Sequence, residues 1–289
     1  MKKIAVIGGS GFIGKSLCKE LSKKNFVLNI DMKSLEGVPN VKTKIINIKN
    51  KKKLISALKG IDYVFHLAGV SDLHKAYINP KKTAEFNIIG TINVLDACVK
   101  NKVKKIIFSS SLYSFTEEGG FYKSSKLSAE FFIYEYFKKH KLQYTILRFG
   151  SIYGEYSNQD NKLFNIMHQA IKDKKIIFHG LKKSVRKYIY VTDAAKLCIK
   201  AVDRKFNQKI LMITGQTKTK INDLLMLTAK TANINEKYIK FIDKKLLGHY
   251  IIEPKKFSFP EMIFFKKKNE IRLNEGLDKL YNYIKKEVL

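Results

Sequence analysis

The chain has 289 residues, and its 56 Lys+Arg against 25 Asp+Glu give a formal net charge of +31. This length suits one large domain with a smaller companion, and the apolar runs stop well before the roughly 18–20 residues that a membrane-spanning helix needs. The charge attracts polyanions in general, but the lysines are dispersed and no nucleic-acid-binding motif accompanies them. The sequence therefore predicts a cytoplasmic protein with no specific nucleic-acid partner and no membrane partner.

Six short apolar runs alternate with longer amphipathic runs in the first half of the chain. This alternation is typical of βαβ units, and strands that are apolar throughout are buried on both faces of a parallel sheet. The predicted strands are 3–8, 26–31, 43–48, 62–69, 104–110 and 143–150, and the predicted helices are 12–24, 51–59, 81–101 and 122–140. The predicted fold class is α/β, with a doubly wound parallel sheet.

The pattern loosens after Gly154. The later predicted elements are a helix near 161–173, strands within 174–180, 187–191 and 209–215, and a helix from Thr192. The chain is therefore expected to leave the sheet, return and leave again. This predicts a sheet domain of residues 1–153 plus about 186–215, and a smaller, discontinuous C-terminal domain of 154–185 plus about 216–289.

A glycine-rich turn follows the first strand. Gly8, Gly11 and Gly14 stand between that strand and the next helix, as in a dinucleotide-binding turn. Glycine lets a pyrophosphate approach the main chain and lets the helix pack closely on the strand, while the helix N-terminus offers N–H groups. Asp31 ends the second strand, where a carboxylate accepts hydrogen bonds from the ribose hydroxyls and repels a 2′-phosphate. The first domain is therefore predicted to be a Rossmann domain that binds NAD rather than NADP.

Tyr122 and Lys126 lie four residues apart at the start of a predicted helix, so their side chains share one helix face. An unperturbed tyrosine has a pKa of about 10 and is almost entirely protonated at neutral pH. A lysine ammonium one helical turn away and a positive nicotinamide ring both favour the phenolate, which predicts a lowered tyrosine pKa. Tyr122 is therefore a candidate general base, and the hydroxyl residues that end the fifth strand are its candidate partners.

Four further segments carry a family resemblance: GIDYVFHLAG (60–69), NIIGTINVLDAC (87–98), LRFGSIYG (147–154) and RKYIYVTDAA (186–195). With the glycine turn and the Ser, Tyr, Lys order, the chain resembles the extended short-chain dehydrogenase/reductase family, in its NAD-dependent nucleotide-sugar epimerase/dehydratase branch. The resemblance is dense from residue 3 to about 203 and thin afterwards. It implies that the sheet domain binds NAD and that the smaller domain binds a nucleotide-sugar substrate.

The resemblance also implies roles for single residues. Ser111 hydrogen-bonds the reacting hydroxyl, Tyr122 exchanges its proton, and Lys126 also holds the nicotinamide ribose. The short linker before Tyr122 permits Ser110 in place of Ser111. The implied cofactor-binding residues are Gly8, Gly11, Phe12, Ile13, Gly14, Asp31, Leu67, Ala68, Gly69, Asn87, Tyr122 and Lys126.

Four residues are candidates to bind the substrate. Arg186 matches the arginine that grips the diphosphate in relatives, a role suited to a guanidinium; a strand-edge salt bridge is its alternative. Ser151 stands where relatives commonly have asparagine, so one expected diphosphate contact is missing or replaced. Ser71 and His74 lie just past the end of the fourth strand and are candidates to face the sugar.

Epimerisation is the leading hypothesis for the reaction: a sugar carbon passes hydride to NAD, the ketone turns over, and hydride returns to its other face. The dehydratase branch needs an acid–base carboxylate pair directly after the strand-five hydroxyl residue, where this chain has Leu112 and Tyr113. Glu117 and Glu118 in the linker are alternative carboxylates. A dehydratase or ketoreductase is therefore the enzymatic alternative, and a noncatalytic dinucleotide- or RNA-binding protein is the alternative from another class.

Two expectations concern metals and assembly. The histidines and the three separate cysteines show no metal-ligand spacing, so no metal is expected and the cysteines are predicted to be reduced, partly buried thiols. The family resemblance implies a homodimer through the helices 81–101 and 122–140. The second of these is more aromatic than one buried face requires, with Phe131, Phe132, Tyr134 and Tyr136.

Overall fold

The computed structural model describes residues 1–242, 262–264, 267 and 269–287. Its strands are β1 (Lys3–Ile7), β2 (Phe26–Asp31), β3 (Val41–Ile45), β4 (Tyr63–His66), β5 (Lys105–Ser111), β6 (Gln143–Phe149), β7 (Ser151–Tyr153), β8 (Ile176–His179), β9 (Val185–Tyr190), β10 (Lys209–Ile213), β11 (Lys218–Lys220), β12 (Ile239–Ile242) and β13 (Met262–Phe264). Its α-helices are α1 (Phe12–Leu21), α2 (Lys51–Ala57), α3 (Leu73–Ile78), α4 (Pro80–Ala84), α5 (Gly90–Lys100), α6 (Gly120–His140), α7 (Lys162–Lys172), α8 (Val191–Lys200), α9 (Ile221–Thr231) and α10 (Leu273–Glu287).

The large sheet has eight parallel strands in the order β13-β10-β6-β5-β4-β1-β2-β3. Side chains of β1 alternate between its two faces: Ile4 and Val6 pack in the core that includes α1 and α8, while Ala5 and Ile7 pack in the core that includes α2, α5 and α6. Continuous apolar runs are therefore buried on both faces, as parallel strands require. The predicted doubly wound Rossmann fold is confirmed.

The strand order places a switch point between β1 and β4, since the chain builds the sheet outward from β1 in one direction and from β4 in the other. Ligands of doubly wound sheets bind outside the carboxyl ends of the strands at such a point. The glycine turn follows β1 at this edge, and the residues after β4 and β5 lie beside it. The fold therefore brings the predicted motifs to one edge of the sheet.

Several local elements differ from the sequence predictions. The helix predicted at 81–101 is α4, a π-helical turn at Glu85–Ile89 and then α5. The short helix α3 is additional, and the Asp72 side chain caps it by accepting a hydrogen bond from Lys75 N at 2.7 Å. Strand β3 begins and ends earlier than predicted, at Val41 and Ile45. Helix α3 has only six residues. Its apolar residues therefore do not recur often enough to reveal a helical period in the sequence.

Two small sheets stand apart from the large one. Strand β9 pairs with β7 and β11, and β8 pairs with β12. Strand β13, which comes from the part of the chain assigned by sequence to the smaller domain, pairs with β10 at the edge of the large sheet. The division into an NAD-binding and a substrate-binding domain stays a prediction.

A buried carboxylate fastens the C-terminal segment to the sheet domain. Asp193 at the start of α8 accepts a hydrogen bond from Ile271 N at 2.8 Å, and its other oxygen lies 2.9 Å from Lys267 Nζ. Asp193 is buried, so the ion pair is shielded from water on one side. These contacts direct the chain into α10, which packs beside α7 and α9.

The described residues bear on three other expectations. None of their helices combines the length and apolarity needed to cross a bilayer, and they hold no group of three or more His, Cys, Asp or Glu arranged to bind a metal. Cys18, Cys98 and Cys198 are buried free thiols, and burial raises the pKa of each, that of Cys18 to about 12. Such thiols are poor nucleophiles because they stay protonated.

Candidate active site

At two positions of the glycine turn, backbone atoms leave no room for a side chain. Gly8 has φ of +92°, and a Cβ there would lie 2.5 Å from Ala68 N. A Cβ on Gly14 would lie 2.1 Å from Gly8 O. Glycine at these two places lets helix α1 begin directly against β1 and β4. The first-turn amides of a helix lack intrahelical partners, so they are available to a phosphate at this point.

Asp31 is fixed by the turn that it faces. Its Oδ2 accepts a hydrogen bond from Ser10 N at 3.1 Å, and its Oδ1 accepts one from Lys33 N at 3.2 Å. The half-buried carboxylate stands at the end of β2 and lines the same cleft as the glycines. Each oxygen has a second lone pair for a ribose hydroxyl.

A cleft of about 600 Å³ runs from the glycine turn to the start of α6. Eleven of the twelve predicted cofactor-binding residues line it: Gly8, Gly11, Phe12, Ile13, Gly14, Asp31, Leu67, Ala68, Gly69, Tyr122 and Lys126. The sequence did not identify the apolar residues Met32, Ile46 and Ile48, which line its outer end. The tight glycine packing, the carboxylate and the volume of the cleft all fit NAD.

Asn87, the twelfth, lies behind the wall of this cleft. Its Oδ1 accepts a hydrogen bond from Val70 N at 2.7 Å, and its Nδ2 donates to Val70 O and to Ser125 Oγ, each at 2.9 Å. The π-helical turn carries this side chain, and π turns are often found at functional sites. Asn87 therefore ties the loop after β4 to helix α6, on which Tyr122 and Lys126 stand.

Ser111, Tyr122 and Lys126 come together at the inner end of the cleft. Tyr122 is hydrogen-bonded to Ser111, and Lys126 Nζ donates to Ser109 O at 2.9 Å. Ser110 Oγ is instead hydrogen-bonded to Glu130 and Ser114. Of the two serines left open by the sequence, Ser111 is therefore the partner of the tyrosine.

The electrostatics of this group differ from the sequence prediction. Burial raises the pKa of Tyr122 to about 12, and the hydrogen bond from Ser111 lowers it by less. The Lys126 ammonium lies 6.0 Å from the centre of the Tyr122 ring, and burial lowers its own pKa to about 8 although Glu130 raises it. In the chain alone, desolvation of the phenol therefore outweighs the lysine charge, and Tyr122 is protonated at neutral pH.

A second cleft, of about 280 Å³, adjoins the first. Ser111 and Tyr113 line both clefts, whereas Ser151 and Arg186 line the second alone. Arg186 Nη1 donates to Val185 O at 2.9 Å. The sequence did not identify Lys162, which begins α7 in this cleft.

Lys162 adds a second cation beside Arg186. Its Nζ donates to His179 O at 3.1 Å and lies 4.2 Å from the centre of the Phe178 ring. Partial burial and then the charge of Arg186 lower the pKa of Lys162 to about 8. The two cations therefore line the second cleft together.

Of the other two candidate substrate residues, Ser71 and His74, one lines a cleft and the other does not. Ser71 is exposed and lines the first cleft. His74, on α3, is also exposed but lines neither of the two clefts. Its neighbour Leu73 lines both clefts instead, because the first turn of α3 presents Leu73 rather than His74 to the cleft.

His66, at the end of β4, lies buried beneath the site. Thr91 Oγ1 donates to Asn87 O at 2.7 Å and lies 3.0 Å from His66 Nε2. Because the threonine proton is already used, His66 Nε2 carries a proton and donates. The other ring nitrogen, Nδ1, is buried and has no hydrogen-bond partner among the described residues. Burial, with a smaller effect of Lys126, lowers the pKa of His66 to about 3.

The low pKa of His66 predicts acid sensitivity of the fold. Between the unfolded pKa of about 6.5 and the folded value of about 3, the unfolded chain binds a proton that the folded chain does not. This stabilisation is complete above pH 6.5 and is lost at about 1.4 kcal/mol per pH unit as the pH falls. Urea unfolding of wild type and His66→Gln at several pH values between 4.5 and 7 measures it. A free-energy difference between the two proteins that stays constant with pH contradicts the prediction.

Asp31→Asn is expected to weaken NAD binding about tenfold or more, since hydrogen bonds to a charged group contribute about 1.5–3 kcal/mol. The ratio of NADP to NAD affinity is expected to rise, because the charge that repels a 2′-phosphate is gone. Calorimetric titration with both dinucleotides measures this. Asp62→Asn is the matched control, since Asp62 also accepts a backbone hydrogen bond, from Lys3 N at 2.9 Å, but lies at the opposite edge of the sheet. An equal loss in both variants argues against the role of Asp31.

Four features meet at one cleft: the end of a Rossmann sheet, a glycine turn, a carboxylate at the end of β2 and a Ser, Tyr, Lys group. Together they define a class of dinucleotide-dependent enzymes. Residues 4–213 match the NAD dependent epimerase/dehydratase family. This match covers well over half of the chain, and the protein belongs to that family. The predictions of the family, of NAD as cofactor and of an enzyme are thereby confirmed.

Similar proteins extend over the whole chain. A protein of Methanocaldococcus jannaschii, provisionally named UDP-glucose 4-epimerase, is 26% identical over 98% of each chain. The structure of UDP-glucose 4-epimerase from Thermotoga maritima with UDP-glucose has a TM-score of 0.85 and 23% identity, covering 98% of this chain and 99% of that one. UDP-glucuronic acid 4-epimerase from Bacillus cereus, in complex with UDP-glucuronic acid and NAD, has a TM-score of 0.85 and 24% identity over the same shares.

Proposed function

We propose that this enzyme is an NAD-dependent 4-epimerase of a UDP-sugar. The observation that carries the proposal is the position of Ser111 and Tyr122, which stand where the dinucleotide cleft meets the second, positively lined cleft. NAD, when bound, supplies the redox chemistry by taking a hydride from the sugar carbon and giving it back to the other face. The names of the similar proteins point to UDP as the nucleotide and to C4 as the carbon.

The chain's own residues move and hold the proton. With NAD bound, the positive nicotinamide ring and the Lys126 ammonium would favour release of the Tyr122 proton to solvent. The resulting phenolate accepts the proton of the sugar hydroxyl as the carbon is oxidised, and the phenol returns it when the ketone is reduced. Ser111 holds the same hydroxyl, and its bond to Tyr122 orients both groups. The Lys126 ammonium, held at Ser109 O, adds positive charge beside the tyrosine and so favours the phenolate during the transfer.

Arg186 and Lys162 are proposed to bind the diphosphate. A guanidinium suits the two oxygens of a phosphate group, and a nearby ammonium adds a second charge. Mutual repulsion of two adjacent cations is relieved when an anion lies between them, so the second cleft is suited to a diphosphate. Ser151 contributes a hydroxyl at the same wall, in place of the asparagine amide expected from the family resemblance.

The carboxylates favour epimerisation over dehydration. Among the described residues, those lining the two clefts are Asp31, at the ribose end, and Asp160, whose oxygens lie 2.8 and 2.6 Å from Lys75 Nζ. Glu117 is exposed and Glu118 is half-buried, and both lie outside the lining of the clefts. Water elimination needs an acid–base pair beside the sugar, and neither glutamate is placed to provide it.

The test is to incubate the protein with NAD and a panel of UDP-, GDP-, CDP- and dTDP-sugars in deuterated water, and to identify products by mass spectrometry and proton NMR. An isomer of unchanged mass, formed from a UDP-hexose with inversion at C4, is the expected result. Loss of water identifies a dehydratase. No conversion of any sugar, with NAD binding intact, favours the ketoreductase or binding-protein alternatives over this proposal.

A homodimer is proposed for the assembly. Helix α6 exposes Phe121, Phe131, Phe132 and Tyr134, and the adjacent π-helical turn exposes Ile89. Apolar groups in such number on one helix mark an interaction surface. Light scattering of wild type is expected to give twice the chain mass, and Phe131→Lys/Phe132→Lys to give a monomer. Tyr238→Lys, at an exposed aromatic residue elsewhere, is the control, and a monomeric wild type at micromolar concentration overturns the proposal.

The cytoplasmic location expected from the sequence stays a prediction.

A further inference from the structure

Three consecutive serines at the end of β5 each bind a different residue of helix α6. Ser109 O accepts from Lys126, Ser110 Oγ donates to Glu130, and Ser111 is hydrogen-bonded to Tyr122. Residues 122, 126 and 130 follow one another by four and therefore share one helix face. Two of these contacts belong to the proton-transfer group, whereas the third, at Glu130, has no part in the proposed reaction.

Glu130 is the centre of a buried polar network. Its Oε1 accepts from Arg148 Nε at 3.0 Å and its Oε2 accepts from Arg148 Nη2 at 2.6 Å, while Ser110 Oγ also lies 2.9 Å from Ser114 Oγ. Glu130, Arg148, Ser110 and Ser114 are all buried. The network joins β5, the turn that follows it, α6 and β6. A buried ion pair contributes little net stability, so stability alone does not explain the Glu130–Arg148 pair beside the site.

We propose that Glu130 is a positioning residue that keeps Lys126 charged and seated against Ser109 O. The two side chains are one helical turn apart, and Lys126 is itself buried, so a nearby carboxylate is the group that offsets the cost of burying the ammonium. Arg148 and Ser110 hold that carboxylate in place from two neighbouring strands. The inference rests on the roles proposed above for Tyr122 and Lys126.

The charge of Lys126 depends on the ionisable side chains that lie near it. Tyr122 and Glu130 lie on its own helix, and His66 lies on β4. His66 is uncharged at neutral pH because burial lowers its pKa to about 3. Tyr122 is also uncharged there because burial raises its pKa to about 12. Glu130, whose ion-pair partner is Arg148, is therefore the charged group that acts on Lys126 in the neutral range, and it raises a lysine pKa that burial lowers.

The test follows the titration of Lys126 directly, by NMR of protein labelled with carbon-13 at the lysine Cε. Loss of one signal in Lys126→Met assigns it, which is needed because burial also lowers the pKa values of Lys105 and Lys162 to about 8. In Glu130→Gln the titration midpoint of Lys126 is expected to fall by about one pH unit. The alkaline limb of the pH profile of kcat is expected to shift to lower pH by the same amount, with KM little changed. Glu135→Gln, on the exposed side of α6, is the control.

Two further variants keep the test decisive if Glu130→Gln does not fold. Glu130→Gln/Arg148→Met removes both charges, and Ser110→Ala keeps both but removes the hydroxyl that holds Glu130. A downward shift of the Lys126 midpoint is expected in each, smaller in Ser110→Ala. An unchanged midpoint in any folded variant that lacks the carboxylate overturns the proposal. The titration needs no substrate, so it gives the same answer even if no sugar is epimerised and the proposed function fails.

Discussion

Tyr122→Phe is expected to reduce kcat by about 10²–10⁴-fold, the usual contribution of a general acid–base group, while leaving NAD affinity little changed. The phenyl ring keeps the packing of the buried residue, and Lys126 keeps its bond to Ser109 O. What is lost is the hydroxyl bonded to Ser111, which is the proton acceptor of the proposed reaction. Steady-state kinetics with the substrate found by the product panel, together with calorimetric NAD titration, measure the two quantities.

Tyr136→Phe is the matched control for this variant. It makes the same substitution on the same helix, where the Tyr136 hydroxyl donates to Asp96 Oδ1 at 2.6 Å outside the cleft. Its kcat is expected to equal that of wild type. If Tyr122→Phe keeps a tenth or more of the activity, another group moves the proton; if it loses NAD binding together with turnover, its role is in binding the cofactor.

The large sheet could be predicted because its strands have a strong local signal. Apart from their first lysine, runs such as KIAVI and KIIF are apolar and of strand length, and each is followed by a helix-length segment. Strands β7, β11 and β12 are three or four residues long and show no such run. Their pairing depends on contacts between distant segments, which residue spacing does not encode.

The candidate site was predictable where one motif supplies it. The glycine turn, Asp31 and the Tyr122 to Lys126 spacing are short patterns with a chemical meaning. Lys162 and Glu130 carry no motif of their own, and their importance comes from their neighbours Arg186 and Arg148, which are distant in sequence. A lysine or glutamate on a helix is usually a solvated surface residue, so the sequence alone gives no reason to select these two.

The charge state of Tyr122 shows a different limit. Helical spacing correctly places a lysine one turn away, and it supports a lower tyrosine pKa through charge. The opposite shift in the folded chain comes from burial by residues of several elements, including Tyr113, whose ring packs edge-on against that of Tyr122 at 6.4 Å. Desolvation depends on the whole environment, so its size is set only once the chain has folded.

Gly14→Ala and Gly11→Ala are expected to separate folding from cofactor binding within one turn. A Cβ on Gly14 would lie 2.1 Å from Gly8 O and 2.7 Å from Gly9 Cα, both backbone atoms that cannot move aside without displacing β1 or α1. Overpacking of this kind costs about 1–3 kcal/mol, more than alanine gains over glycine in a helix. Gly14→Ala is therefore expected to lower the free energy of unfolding even without NAD.

Gly11→Ala meets a different environment. Its Cβ would lie 3.3 Å from Gly8 O, and its φ of −80° suits any residue, so the free energy of unfolding is expected to change little. Gly11 lines the cleft, however, and a methyl group there separates the main chain from a pyrophosphate, so NAD affinity is expected to fall more than tenfold, about 1.4 kcal/mol or more. Urea unfolding and calorimetric titration of both variants measure these effects. If Gly11→Ala binds NAD as wild type does, the pyrophosphate does not lie against this turn, and the orientation assigned to the cofactor from Asp31 to Tyr122 is wrong.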